Sequence, residues 1–370
     1  MPNKITLVLI ILSQVLLFSS CGGEKTKPNI LLITIDTLRR DHFSCYGYPR
    51  KTSPFIDQLA KKGLKFNHVI TPIPTTAPSH ASILTSLHPL THHVTSNANP
   101  LSDKVQTIAE VLKQNGYYTV GAVAVPFLSS QYNFSQGFDS FSDKWEIKAG
   151  LDNTFERSAE SVNESLFKQV DRYLLNHKKN GKSLFIWVHY FDPHSSYREH
   201  EGITFKNKLP ERDGNPYIRN YDKEIRYTDD HIKKLYRYLE EKGIARRMVT
   251  CLTADHGEEF FEHGQTYGHA DFYSETTFVP LIFHGYGIPK NKVIETYVST
   301  MDIAPTLLGM LNLGFNYPIE GIDLLKGSKR TGKHRDRKFV IIGFDKYTRS
   351  LQLLGYPFAY ILNFDHHYKH

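Results

Sequence analysis

Two aspartates stand where buried strands run out. Asn29 to Asp36 (NILLITID) and Met248 to Asp255 (MVTCLTAD) are continuous apolar, β-branched runs, each closing on a carboxylate, and the second is followed at once by His256. Runs of this kind belong to strands covered on both faces, and open α/β sheets place their chemistry at the carboxyl ends of such strands. Buried charge is costly unless it is paired or bound to metal, so Asp36, Asp255 and His256 at one sheet edge point to a cation. Either aspartate alone reads equally well as a cap on the following turn. The run Asp255-His256-Gly257-Glu258 shifts the balance towards metal. A hydroxyl joins them from Thr75-Thr76-Ala77-Pro78-Ser79-His80, which continues through Ile83 and Leu84 to Ser86. Pro78 suits the first turn of a helix, which puts Thr76 near an N-terminus where N–H groups and the dipole favour anions. Taken alone, such a threonine is an ordinary N-cap.

The elements that must hold these residues alternate. Thr119 to Val125 and Leu184 to His189 (LFIWVH) are two further strand-like runs. Between the strands lie helical patterns: Ser53 to Lys62 with a cap and Pro54 at its first position, Val105 to Asn115 ending at Gly116, Glu156 to His177, and Tyr221 to Lys242 ending at Gly243. Strands alternating with helices predict an α/β fold with a large, mostly parallel sheet sandwiched by helices. Arg198 to Arg219, with Pro210, Gly214 and Pro216, reads as an excursion over the surface, and Lys326 to Lys338 as a basic solvated loop.

Composition bounds the rest. At 370 residues, 40% hydrophobic and 22% charged, the chain is neither disordered, collagenous nor a coiled coil. Three cysteines exclude a disulfide framework, and their spacing excludes zinc fingers and CxxC redox sites. Cys251, inside a strand, reads as a buried free thiol. There is no Walker loop, dinucleotide fingerprint, HExxH or GxSxG, and no basic helix interleaved with aromatics, so nucleic acid is not an expected partner. Lys4, the apolar Ile5 to Phe18 and the small Ser19-Ser20 before Cys21 form a targeting segment. It resembles a bacterial lipoprotein signal, in which Cys21 becomes the lipidated first residue. A plain secretory signal and an uncleaved anchor are the alternatives. All three place the body outside the cytoplasm, and the lipoprotein reading puts it in a bacterial cell envelope, periplasmic or surface-exposed, with membrane contact through the anchor. The formal charge of +7 falls by only the one lysine when residues 1–20 are removed, so the surface stays basic and favours anionic partners.

Read in order, Asp36, then Thr76-x-Pro78-Ser79-His80 with Leu84-Thr85, then Asp192-Pro193-His194, then Asp255-His256-Gly257, the chain resembles the sulfatase branch of the alkaline phosphatase superfamily. Asp36-Thr37-Leu38-Arg39-Arg40-Asp41-His42 with Cys45-Tyr46-Gly47-Tyr48-Pro49 is similar to that family's opening strand and loop, and Asp302-Ile303-Ala304-Pro305-Thr306-Leu307-Leu308 to a later helix. The resemblance runs from about Pro28 to Asn363. It implies a lipoprotein-type signal over 1–20, a tether over 21–28, a catalytic α/β domain over 29–312 and a small C-terminal part over 313–370, shorter than is usual in the family.

The departures change the chemistry that the resemblance implies. Sulfatases carry Cys or Ser, oxidised to formylglycine, at the position of Thr76, and the Cβ methyl of threonine forbids that aldehyde. Thr37 stands for a second Asp, His256 for Asn and His80 for Arg. The calcium site so becomes a mixed N/O site suited to Zn²⁺ or Mn²⁺. This pattern is similar to the superfamily's phosphodiesterases, phosphonate monoester hydrolases and phosphoethanolamine transferases, which use a threonine alkoxide at the metal. The resemblance then implies a metal held by Asp36, Thr76, Asp255 and His256, and in-line attack by Thr76 to give a phospho-threonine intermediate. His80, His194 and His269 are the accompanying catalytic candidates, and Asn97 binds the transferred group. The substrate is a small-molecule or lipid-headgroup anionic ester. Two alternatives stay open: a sulfuric ester hydrolase, and a non-catalytic lipoprotein on the same scaffold. His189, His263 and the group His88, His92 and His93 are assigned no direct role.

Overall fold

The computed structural model describes residues 27–144, 156–177, 181–209, 214–263, 267–269, 272–327, 339–344, 348–355 and 358–365. The targeting segment with Cys21, most of the tether and residues 328–338 of the basic stretch lie outside the described residues. Its centre is an eight-stranded sheet of β1 (Asn29–Ile35), β2 (Leu64–Ile70), β3 (Tyr118–Ala122), β4 (Ser140–Ser142), β5 (Leu184–Tyr190), β6 (Met248–Ala254), β9 (Leu281–Gly285) and β10 (Lys292–Ser299). The order is β10-β2-β9-β6-β1-β5-β3-β4. Every neighbouring pair is parallel except the two made by β9. Two short strands, β7 (Glu259–Phe260) and β8 (Tyr267–Gly268), form a hairpin beyond β6.

The principal helices are α1 (Pro54–Lys62), α2 (Thr76–Thr85), α3 (Ile108–Gln114), α4 (Ala159–His177), α5 (Pro216–Glu241) and α6 (Ile303–Gly309). They pack in two groups. α5 touches α1 and α4, while α2, α3 and α6 touch one another. Covered on both faces, the central strands β5 and β6 are buried at every position, which is why their sequences are apolar runs with no alternation. One contiguous core runs through the sheet and both helix groups.

Three expectations needed correction. Arg198 to Arg219 is not loop throughout, because α5 begins at Pro216: Asn215 accepts the Tyr217 N–H at 3.0 Å and Pro216 takes the first helical position. Ser53 does not cap α1. Asp229, reaching from α5, accepts the Phe55 and Ile56 N–H groups at 2.9 and 2.8 Å instead. The run beginning at Thr119 ends as a strand at Ala122, not Val125. Cys45 and Cys251 are both free, and Cys251 is buried in β6 as expected. The C-terminal stretch forms a separate antiparallel sheet of β11 (Phe339–Phe344), β12 (Thr348–Gly355) and β13 (Phe358–Asp365). Among the described residues no helix is long and apolar enough to cross a membrane.

Candidate active site

The site is assembled by strand register. Ile35 of β1 pairs with both Tyr190 of β5 and Ala254 of β6, so the three strands end level and the next residues emerge side by side. Side chains alternate along a strand, so Thr34 and Asp36 share one face with His189, which pairs with Thr34, and with Asp255 one step past β6. The α2 helix lies over this face. Its first residue is Thr76, and Ser79 Oγ donates to the Asp255 carbonyl at 2.8 Å, fixing helix to strand end.

Around this junction the polar atoms are incompletely matched. Asp255 Oδ1 accepts the His256 and Thr37 N–H groups at 2.8 and 3.2 Å. Its Oδ2, and Oδ1 of Asp36, are buried without a hydrogen-bond partner. The His256 ring settles what they face. Its Nδ1 lies 3.0 Å from the Gly257 carbonyl and must carry the proton, so Nε2 presents a lone pair. That lone pair lies 3.4 Å from Thr76 Oγ1, 3.5 Å from Asp255 Oδ2 and 3.8 Å from Asp36 Oδ1. Three acceptors with no donor between two of them fit a divalent cation, and Asp36, Asp255 and His256 have the mutual spacing to hold one. The electrostatics agree. Burial raises the Asp36 carboxyl, and burial with Asp36 alongside lifts Asp255 to about 7, while burial drives His256 down to about 4. Acids that resist ionising beside an imidazole that resists protonation mark a site short of positive charge.

A second trio, His80, His189 and Asp255, has similar spacing, but the one lone pair of the neutral His80 ring, on Nε2, is already taken by the Thr34 hydroxyl. Its Nδ1–H faces the Thr76 carbonyl at 2.8 Å and its Nε2 the Thr34 hydroxyl at 3.0 Å, while Thr34 Oγ1 accepts from Trp187 Nε1 at 3.1 Å. With both nitrogens engaged and its pKa pushed to about 3 by burial, His80 braces the turn that carries Thr76. The sequence reading groups it with the catalytic residues, and the structure gives its partners as the Thr76 backbone and the Thr34 side chain. The spacing carried the signal, because a side chain four residues into a helix reaches back to the carbonyl of the first.

His194 and His269 do converge on the site, with ring centroids 5.6 Å apart and His269 at 4.3 Å from His256. They differ in charge. Burial opposes protonation of His194, but Asp36, Glu258 and Asp255 outweigh it and hold its pKa above the ordinary value. Burial, followed by His256 and His194, keeps His269 well below it, and its Nδ1 is held by the Pro74 carbonyl at 3.1 Å. Asn97 sits at the start of α2, its Oδ1 accepting the Ala77 N–H at 2.8 Å. Asp192 of the Asp-Pro-His motif is structural, its Oδ2 accepting the Ala159 N–H at 2.8 Å at the start of α4. Two residues that the sequence reading assigned no role belong here. His189 Nε2 lies 3.6 Å from Asp36 Oδ2. Glu258, 1% exposed, is raised to about 7 by burial against the opposing pull of His194; its place in the run after Asp255 was the available signal. Behind them Tyr221 of α5 holds the loop after β1, its hydroxyl donating to the Thr37 carbonyl at 2.6 Å and accepting the Arg39 N–H at 2.8 Å.

Known proteins are similar to this chain in sequence and fold. An ulvan-active sulfatase from Formosa agariphila is 25% identical over 375 residues, covering 90% of this chain and 70% of its own. A 2-O GAG sulfatase superposes with a TM-score of 0.72 at 20% identity, covering 92% of this chain and 83% of its own. The phosphonate monoester hydrolase of Agrobacterium radiobacter does so with 0.69 at 18%, covering 92% and 89%. At these identities the two structures speak for the fold. The sulfatase family profile itself matches residues 28–313, most of the chain. With that span, and with the sheet and strand-end site described above, the chain belongs to the sulfatase family and is a sulfatase-like member of the alkaline phosphatase superfamily.

Proposed function

We propose that the chain is a divalent-metal-dependent hydrolase or transferase of phosphoesters or phosphonates, with Thr76 as nucleophile and a phospho-threonine intermediate. The observation that carries this reading is the hydroxyl among the unmatched acceptors: Thr76 Oγ1, on the first residue of α2, 3.4 Å from His256 Nε2. Threonine cannot become the formylglycine aldehyde, so its own oxygen must attack. A divalent cation held by Asp36, Thr76, Asp255 and His256 supplies the charge that acidifies this hydroxyl and draws electrons from the phosphoryl group, and the mixed N/O donors suit Zn²⁺ or Mn²⁺ better than Ca²⁺.

The chain's own residues divide the remaining work. As the Thr76 oxygen–phosphorus bond forms, the bond to the leaving oxygen breaks, and that oxygen takes the electron pair and a proton from His194. The Thr76 hydroxyl proton is lost to solvent. Water, or an acceptor alcohol in a transfer, then attacks phosphorus and gives its proton to His194, while the Thr76 oxygen–phosphorus bond breaks and Thr76 keeps the electron pair and takes a proton back from solvent. Asn97 Nδ2 is the group to meet the oxygens of the transferred anion, while His269, neutral with its Nδ1–H given to the Pro74 carbonyl, has only the lone pair of Nε2 left to offer. The neighbouring phosphonate monoester hydrolase fold supports this reading. Sulfate-ester hydrolysis is the second reading, favoured by the family match and by relatives named as sulfatases.

The test is mature protein reconstituted with Zn²⁺ or Mn²⁺ and assayed side by side on phosphate monoesters, phosphate diesters, phosphonate monoesters and sulfate esters. Preference for a phosphodiester or phosphonate, lost in Thr76→Ala at unchanged metal content, is the expected result. Preference for aryl sulfate selects the second reading, no turnover with either metal leaves a binding protein, and full turnover by Thr76→Ala removes the nucleophile.

A further inference from the structure

The two edges of the main sheet differ in charge. Its carboxyl edge gathers the carboxylates of the site, Asp36, Asp255 and Glu258, all buried. At the amino edge cations follow one another along the strand order: Lys292 opens β10, Lys61 and Lys62 end the helix leading into β2, Lys290 follows β9, Arg246 precedes β6 and Lys182 precedes β5. All six are exposed, and none pairs with an acid among the described residues. The acids near them are Glu240 and Glu241 at the end of α5, and Asp171, which Lys242 already neutralises. The field of the row is felt within the protein, because burial, followed by Lys62 and Lys290, lowers the pKa of His284. With strands about 4.8 Å apart, the row from β10 to β5 is about 24 Å long. A small anion would meet one or two of these cations, whereas an extended anionic surface meets them all. Tyr286 and Val293, 45% and 48% exposed, stand among them and suit the boundary between headgroups and water. The first described residue, Lys27, lies at the same edge two places before β1, its carbonyl accepting from Ser183 Oγ at 2.6 Å. The apolar run Ile5 to Phe18 therefore joins the body at this edge, and Cys21, six residues before Lys27, is within about 22 Å of it.

We propose that the amino edge of the sheet is a docking surface for an anionic phospholipid bilayer, met by the cationic row with the site turned to the opposite side. The row acts without a lipid anchor, and an anchor at Cys21 would hold it within reach of the headgroups. β1 and β6 are seven residues long, so the site stands about 23 Å beyond the row, well outside a Debye length of about 8 Å. Resting on the esterase reading above, the ester then arrives from the aqueous side and is not a headgroup of the bilayer on which the protein sits.

The test uses the mature chain with Cys21→Ala, which cannot be lipidated, sedimented with vesicles of phosphatidylcholine alone or mixed equally with phosphatidylglycerol. Binding to the mixed vesicles only is expected, and it should vanish between about 0.1 and about 1 M salt, as the Debye length falls from about 10 to about 3 Å. A lysine close to such a surface is worth about fivefold, so Lys61→Gln with Lys62→Gln, and separately Lys290→Gln with Lys292→Gln, should each weaken binding at least about tenfold. Lys206→Gln with Lys208→Gln, exposed on the segment after the site, should change it by less than about twofold. No preference for the anionic vesicles, equal losses in all three double variants, or capture by soluble dextran sulfate without capture by vesicles overturns the proposal. Hydrogen exchange of the bound protein reads the orientation: residues 61–63 and 286–292 should gain protection and residues 198–209 none, and the reverse pattern overturns it. Neither measurement needs turnover, so an inactive chain removes the esterase reading and leaves the docking surface standing.

Discussion

Replacing Tyr221 by Phe removes one oxygen and leaves two buried backbone groups without a partner. The Tyr221 hydroxyl donates to the Thr37 carbonyl at 2.6 Å and accepts from the Arg39 N–H at 2.8 Å, and Tyr221 and Thr37 are fully buried. Burial keeps the phenol pKa well above its ordinary value, so it remains protonated and able to donate. Both orphaned groups belong to buried residues, so each carries its desolvation penalty of about 1–3 kcal/mol. The two together predict a loss of roughly 2–6 kcal/mol, although not a single carbon is removed and no cavity beyond one hydroxyl is made. Because Thr37 directly follows Asp36, the loop that aims this carboxylate loosens as well. Metal affinity should fall with stability. The assay is urea unfolding in EDTA, which separates the folding term from metal linkage, alongside competitive metal titration of the native protein. Tyr286→Phe is the control: its hydroxyl accepts from Arg247 Nη2 at 2.9 Å on the exposed surface, and the change should stay within about 0.5 kcal/mol. A loss below about 0.5 kcal/mol for Tyr221→Phe, or a stability loss with unaltered metal affinity, would refute the reasoning.

Other perturbations reach different parts of the structure. Gly257→Ala places a Cβ 1.9 Å from the backbone oxygen of Glu275, so the strand end must shift and carry His256 with it; we expect at least tenfold weaker metal binding, and wild-type affinity would contradict this. His92 donates through Nε2 to Ser82 Oγ at 2.9 Å and accepts the Val94 N–H at 3.1 Å, and burial, then His88 and His93, lower its pKa to about 3. Its folded pKa being depressed, its contribution is complete above the unfolded value near 6.5 and is lost as pH falls towards 3, about 2 kcal/mol by pH 5. His92→Gln should therefore lose about 2 kcal/mol less than wild type between pH 7 and pH 5, and equal losses in denaturant midpoints would exclude the assignment. Metabolic labelling with radioactive palmitate in a bacterial host should mark the full chain and not Cys21→Ala; an unlabelled wild type would remove the lipid anchor.

What can be read from sequence is what local chemistry dictates. The runs ending at Asp36 and Asp255 declare doubly covered strands because apolar and β-branched residues stand at both parities along them, and level ends follow once they are neighbours. Thr76 is legible because Pro78 marks a first helical turn. The misreadings share a cause, which is that long-range partners outrank local signals. Ser53 looks like a cap, but Asp229, far along the chain, takes the amides. Asn215-Pro216 starts a helix inside a stretch whose Pro and Gly content argues for loop. β9 and β10 escape assignment as strands because neither has the long apolar run of the central strands, and β9 runs against both of its neighbours. His80 is read by analogy with an arginine position, and its spacing from Thr76 places its ring over the first carbonyl of the helix.

The chain of contacts from Trp187 through Thr34 to His80 and on to the Thr76 carbonyl has one more consequence. Grease holds a helix against a sheet but permits it to roll and slide, since apolar contact has no preferred direction. Hydrogen bonds at 3.1, 3.0 and 2.8 Å act instead like a key in a shaft, fixing the rotation of α2 about its own axis as well as its depth. The aim of the Thr76 oxygen is thereby set from the interior of the sheet, and surface loops can be rebuilt around new substrates without turning it.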